Sequence, residues 1–123
     1  MLVRLRVSAG ERFLLHGDLH QFNILAAGQR WLAVDPKGLV GEPECEIAPL
    51  ILNPIGLLQP RRLAESVERR IEQLCSEAGL ERERAYGWTF VRAVIAVVWS
   101  YEDHGQAPME WFACTDVLRQ HAG

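Results

Sequence analysis

The sequence predicts an α+β fold that is mainly α-helical, with a small β-hairpin leading into a helical body. Three observations predict it. Two short apolar runs, NILAA and WLAVD, flank a glycine-containing turn, GQR, which is a hairpin signal. The segment PKGLVGEP, residues 36–43, holds two prolines and two glycines and reads as loop. Beyond residue 60 the apolar residues recur at helical spacing.

In chain order, FLLH enters as an extended segment, the hairpin spans the runs on either side of GQR, and the loop follows. CEIAPLILN then predicts a short helix stopping at Asn53-Pro54, with Pro49 marking a kink or a later start. Leu63, Val67, Ile71, Leu74 and Ala78 define one face of a longer helix, and Gly79 sits where a C-terminal cap belongs. Residues 82–103 are apolar nearly all round between Phe90 and Trp99, which predicts a helix buried on most sides. A last helix over 108–120 has proline at its first turn and Trp111, Cys114 and Leu118 on one face. The four tryptophans, Trp31, Trp88, Trp99 and Trp111, are spaced as core residues.

The chain has 123 residues, enough for a single domain, 1–123, with a real core. Its net charge of −3 provides no basic face and argues against a nucleic-acid partner, while suiting cationic small molecules. Cys45, Cys75 and Cys114 are scattered without a C-x-x-C pair and are expected as reduced thiols. The opening MLVRLRVSAGERF is charged throughout, unlike a signal peptide. The longest apolar run, Ala93–Trp99, falls far short of the about 20 residues that span a bilayer. The expectation is a cytoplasmic protein with no membrane association.

The informative stretch is LLHGDLHQFNIL, residues 14–25, where His16, Asp18, His20 and Asn23 crowd between two apolar ends. Asp35 follows at the end of the next strand, so two carboxylates and a carboxamide converge if the strands pair. Mg²⁺ prefers oxygen ligands and keeps several waters, so Asn23 and Asp35, completed by phosphate oxygens, are a sensible set. Asp18 is then left to accept a proton from a hydroxyl nucleophile.

HGDLHQFNIL followed by VDPKG resembles the catalytic and metal-binding loops of the aminoglycoside phosphotransferases, relatives of the eukaryotic-type protein kinases. The wording is most similar to the streptomycin and hydroxyurea phosphotransferase branch. The likeness is dense from Leu14 to about Pro54, and beyond residue 60 it rests on a compatible helical layout. It implies a protein-kinase-like C-terminal lobe in which Asp18 is the catalytic base and Asn23 with Asp35 hold the Mg²⁺ of Mg·ATP. It also implies that His16 braces the loop. Glu46, standing where relatives have Asp in a D-x-A segment, would hold the catalytic region by hydrogen bonds. The implied acceptor is a small-molecule hydroxyl compound, such as a cationic aminocyclitol or hydroxyurea.

The likeness is incomplete. Asp35-Pro36-Lys37-Gly38 replaces the kinase D-F-G and exchanges its aromatic switch residue for a stiff loop. Lys37, the only lysine in the chain, reads as a solvent-facing loop residue. A kinase-like enzyme needs a nucleotide lobe with a strand lysine for the α- and β-phosphates, and neither that lysine nor a glycine-rich phosphate loop occurs here. The chain is therefore expected to correspond to the catalytic lobe alone, with weak or absent turnover by itself. The face meant for the other lobe would favour self-association.

On the acceptor side, Glu42, Glu44 and Glu46 form an acidic strip that would suit a polycation; the competing reading for Glu42 and Glu44 is a solvated loop. Glu102 and Asp103 close a helix whose C-terminus favours positive charge, so they are candidate substrate contacts or simply an exposed helix end. His20 carries no assigned role. Two rival functions remain. Asp18-x-His20 resembles the first metal motif of calcineurin-like phosphoesterases, which require further ligands downstream. Alternatively, the lobe is a non-catalytic binding module.

Overall fold

The structure is a computed structural model that describes residues 11–53 and 62–122. Strands β1 (Phe13–Leu15), β2 (Ile24–Ala27), β3 (Arg30–Ala33) and β4 (Leu39–Gly41) are followed by helices α1 (Pro43–Glu46), α2 (Ala48–Leu52), α3 (Leu63–Ala78), α4 (Arg82–His104) and α5 (Met109–Ala122). A 3₁₀ turn at Gln21–Asn23 leads into β2. The α+β, mainly helical class is as expected. The charged opening through residue 10 and a helix start at Pro60 lie outside the described residues.

Two small antiparallel sheets are nested in sequence. β2 pairs β3 with Ile24 opposite Ala33 and Ala27 opposite Arg30, so the turn is the two residues Gly28-Gln29 and not the expected three, because Arg30 already pairs in β3. Gly28 supplies the positive φ, 64°, that this tight connection needs. β1 pairs β4, Leu15 opposite Leu39 and Phe13 opposite Gly41. Residues 39–41 are thus a strand within what the prolines and glycines had marked as loop. Both prolines flank it, at 36 and 43, so neither removes a ladder donor.

Pro49 sits in the first turn of α2, where its missing N–H costs nothing, and the helix breaks at Ile47 between α1 and α2. Asn53 caps α2, and Arg70 of α3 donates to the Ile51 and Asn53 carbonyls at 2.7 and 3.0 Å. α3 ends at Gly79 in the left-handed region, as its sequence predicts. Leu63, Val67 and Ile71 are buried, but Ala78 is exposed and Cys75 takes the inner position. The core joins these to Ile51 and Leu52 of α2, Ala85, Tyr86 and Ala93 of α4, and Cys114 and Leu118 of α5. All three cysteines are free thiols. Burial pushes Cys45 up to about 12 and Cys114 up to about 11, so neither is a thiolate at neutral pH.

Two burial expectations fail. α4 is enclosed only over its first half; Val94, Val98, Trp99 and Tyr101 on its second half are exposed, because α5 covers one side and nothing among the described residues covers the other. Trp31, on the outer hairpin, is 73% exposed, and Trp99 is half-exposed, so only Trp88 and Trp111 are substantially covered. Among the described residues, no helix is long and apolar enough to cross a membrane.

Candidate active site

The nesting of the sheets builds the site. The connector from β1 to β2, residues 16–23, and the connector from β3 to β4, residues 34–38, leave the same junction and lie side by side. Their backbones are stitched together: Lys37 N–H donates to the His16 carbonyl at 2.7 Å and Gly38 N–H to the same oxygen at 3.2 Å. Val34 N–H donates to the Asn23 carbonyl at 2.8 Å. Asp35 is therefore the first residue beyond a bond that anchors its strand to Asn23.

His16 is held from three directions. Its N–H and that of Gly17 donate to the two carboxylate oxygens of Glu46, at 2.7 and 3.0 Å. Its Nδ1 accepts from Asp18 N–H at 3.1 Å, which places the ring proton on Nε2, and Nε2 donates to the Val34 carbonyl at 2.6 Å. One imidazole thus joins both connectors. Gly17 has φ 89°, and a Cβ there would come within 3.0 Å of Leu39, so the loop admits no larger residue without moving.

Asp18 is about a quarter exposed, with Oδ1 3.3 Å from the guanidinium of Arg92 and Oδ2 3.7 Å from His20 Nε2. Asn23 is buried, and its Nδ2 donates to the Asp18 carbonyl at 3.0 Å. With the amide nitrogen so engaged, the oxygen that remains is the hard donor Mg²⁺ prefers. Asp35 is exposed and is the one non-glycine residue at positive φ, 56°, among those described. Such a conformation costs about 1–3 kcal/mol and is concentrated at functional loops. Lys37 is half-exposed and sits 3.2 Å from the Asp35 carboxylate.

Residues that sequence spacing did not single out complete the loop. Arg92 arrives from α4, 74 positions away from Asp18, and no local pattern links the two. The Arg92 guanidinium also lies over the Trp99 ring, 5.3 Å from its centroid. His20 caps the 3₁₀ turn by accepting from Phe22 N–H at 3.2 Å, and its Nε2 lies 3.3 Å from Asn23 Nδ2 and 3.7 Å from the Asp18 carboxylate. The sequence assigns His20 no role, and its place directly before the Gln21–Asn23 turn shows only in the fold.

The acidic strip does not exist as a surface. Glu42 is 3% exposed and forms a two-pronged ion pair with Arg84 of α4. Hydrogen bonding from Arg84 holds the Glu42 carboxyl below the usual carboxylate range, against the opposing effect of burial. Glu44 is buried too and accepts from Glu81 N–H at 3.0 Å, capping the start of α4. Glu46 is spent on His16 and Gly17. Neither a solvated loop nor a cation-binding strip describes them, because each carboxylate already has an internal partner. Glu102 and Asp103 are exposed near the end of α4, about 15 Å of helix rise beyond Arg92, and are not gathered with Asp18. No group of three or more His, Cys, Asp or Glu able to hold a metal occurs among the described residues, so the two-metal phosphoesterase set is not assembled there.

A model of the aminoglycoside/hydroxyurea antibiotic resistance kinases matches residues 3–104. The chain belongs to that family. It is 40% identical over 125 residues to a hydroxyurea phosphotransferase of Kitasatospora aureofaciens, covering 99% of this chain and 34% of the relative. It is 38% identical to a streptomycin 6-kinase of Streptomyces glaucescens, over 91% of this chain and 37% of the relative. With a streptomycin 3''-kinase of Klebsiella pneumoniae it shares 37% identity over 72% of this chain and 35% of the relative. The chain spans about a third of the length of these relatives. No solved structure matches it significantly.

Proposed function

We propose that these residues are the C-terminal, kinase-like lobe of an ATP-dependent phosphotransferase that acts on a small-molecule hydroxyl acceptor. The observation that supports this best is the cross-linking of the two connectors, which keeps Asp18, Asn23 and Asp35 on one edge of the molecule. In this reading Asp18 takes the proton of the acceptor hydroxyl as its oxygen attacks the γ-phosphorus of ATP. The bond from that phosphorus to the bridging oxygen breaks, and ADP leaves. Asn23 and Asp35 would hold Mg²⁺, which supplies charge neutralisation at the phosphates. Asp35 would give up its pair with Lys37 to do so, a small cost because the pair is exposed. His16 and Glu46 fix the loop so that Asp18 is aimed before substrate arrives. Arg92 holds its carboxylate at 3.3 Å.

Phosphoryl transfer depends mainly on positioning and charge stabilisation, so the remaining two thirds found in the relatives should be needed for full turnover. The test is ATP-dependent phosphorylation of hydroxyurea and streptomycin by a chain extended to the length of the relatives. Asp18→Asn should lower turnover by about 10²–10⁴-fold with unchanged thermal stability. Undiminished transfer in that variant would remove Asp18 from the chemistry.

A further inference from the structure

The apolar stripe on α4 continues past the point where the core ends. Trp88, Val91 and Ile95 form one wall of a cavity of about 420 Å³, and Leu15, Leu39 and Val40 of the β1–β4 sheet form the other. Val98 and Trp99 follow Ile95 by three and four positions, so they extend the same face of α4, and both are about half-exposed. From Trp88 to Trp99 the stripe runs for about 16 Å of helix rise. Across the groove, Leu39 and Val40 are 53% and 69% exposed. Charge in the groove is one-sided. The acid among its lining residues, Glu42, is held by Arg84. Arg92 is shared with Asp18, while Arg12 has no acidic partner among the described residues.

We propose that this groove seats an amphipathic helix from the remainder of the family-length polypeptide, one that carries apolar residues at helical spacing and an Asp or Glu facing Arg12. The chain spans about a third of the length of its relatives, so a covering segment has a source in the same polypeptide. A small molecule would fill the cavity and leave Val98 and Trp99 in water. A helix of about eleven residues matches the whole stripe instead. Helices laid into apolar grooves use anchors at i, i+3, i+4 and i+7, the spacing that Trp88, Val91, Arg92 and Ile95 present from the other side. The acid follows from charge: with Glu42 neutralised, an unpaired guanidinium at the groove edge is left to be met. The inference rests on family membership and not on the role of Asp18, so a failure of phosphoryl transfer would bear on the site chemistry alone.

The test is maleimide labelling of Val98→Cys in the 123-residue chain and in a chain extended to the length of the relatives. Ser76→Cys, at an exposed position of α3, is the reference. The native thiols react slowly, because Cys75 and Cys114 are buried and Cys45 is pushed up to about 12. Val98→Cys should label freely in the short chain and about tenfold or more slower in the extended one, with Ser76→Cys alike in both. Arg12→Glu should restore part of the lost rate in the extended chain. A bifunctional thiol cross-linker on Val98→Cys should join a segment with apolar residues at helical spacing and an acid. Equal labelling of Val98→Cys in the two folded chains would overturn the inference, as would a cross-link to a segment without that pattern. Protection that rises with the concentration of the short chain would assign the groove to a second copy and overturn it equally. An Arg12→Glu variant as protected as the parent would remove the acid from the proposed helix.

Discussion

Two sets of acidic residues lie within thirty positions of each other in the sequence and have opposite fates. Glu42, Glu44 and Glu46 point inward, and each meets a donor from a distant element: Arg84, the Glu81 amide, and the His16 and Gly17 amides. Asp18 and Asp35 stay within reach of solvent, on backbone that the first set helps to hold. The difference is one of partners. The three glutamates are nearly closed off by donors from elsewhere in the chain, whereas Asp18 is about a quarter exposed and Asp35 is open to solvent. Charge alone therefore says little about which acids face solvent.

The comparison can be broken hardest at Glu42. Glu42→Gln strips Arg84 of a buried carboxylate and should destabilise the fold by about 3 kcal/mol, read by urea denaturation. The same pair fixes an acid response. Because the folded Glu42 pKa lies below its unfolded value, its contribution is present above about pH 4.3 and is lost as the pH falls through the lower folded value. The parent should therefore lose stability more steeply than Glu42→Gln as the pH falls below about 4.3. Parallel curves would mean that the ion pair contributes nothing.

A smaller effect is expected at Glu46. Glu46→Ala removes the acceptor for two amides and should cost about 2 kcal/mol, with faster hydrogen exchange at His16 and Gly17 than at core amides of α3. Unchanged exchange at those two amides would place the bracing elsewhere. The smallest effect belongs to the available set. Lys37→Ala should alter stability by less than about 0.5 kcal/mol, because its pair with Asp35 is exposed. A larger loss would make Asp35 a strut like the glutamates.

Much of this was legible in advance. The helices of the body follow from apolar spacing and from caps such as Gly79, signals that act within a few residues. The β2–β3 hairpin was readable for the same reason. Strand β4 was not, since its partner β1 lies more than twenty residues back and its sequence is mostly glycine, leucine and valine between prolines. The candidate site was legible as a motif, but its support was not. The contact of Arg92 with Asp18 and the pairing of Arg84 with Glu42 span 74 and 42 positions, and only folding reveals them. Exposure failed similarly at Trp31 and Trp99, whose types suggest a core while their places in the fold leave them open.

The central claim is that the two connectors present a divalent-metal site beside a base. It is tested most directly by adding Mn²⁺ with ATP to the ¹⁵N-labelled chain and following the amide signals. The account predicts paramagnetic broadening concentrated at Asn23, Asp35 and their neighbours, and its loss in Asp35→Ala. Broadening centred instead on exposed acids such as Glu102 and Asp103, or none around Asn23 and Asp35 in a folded sample, would contradict it.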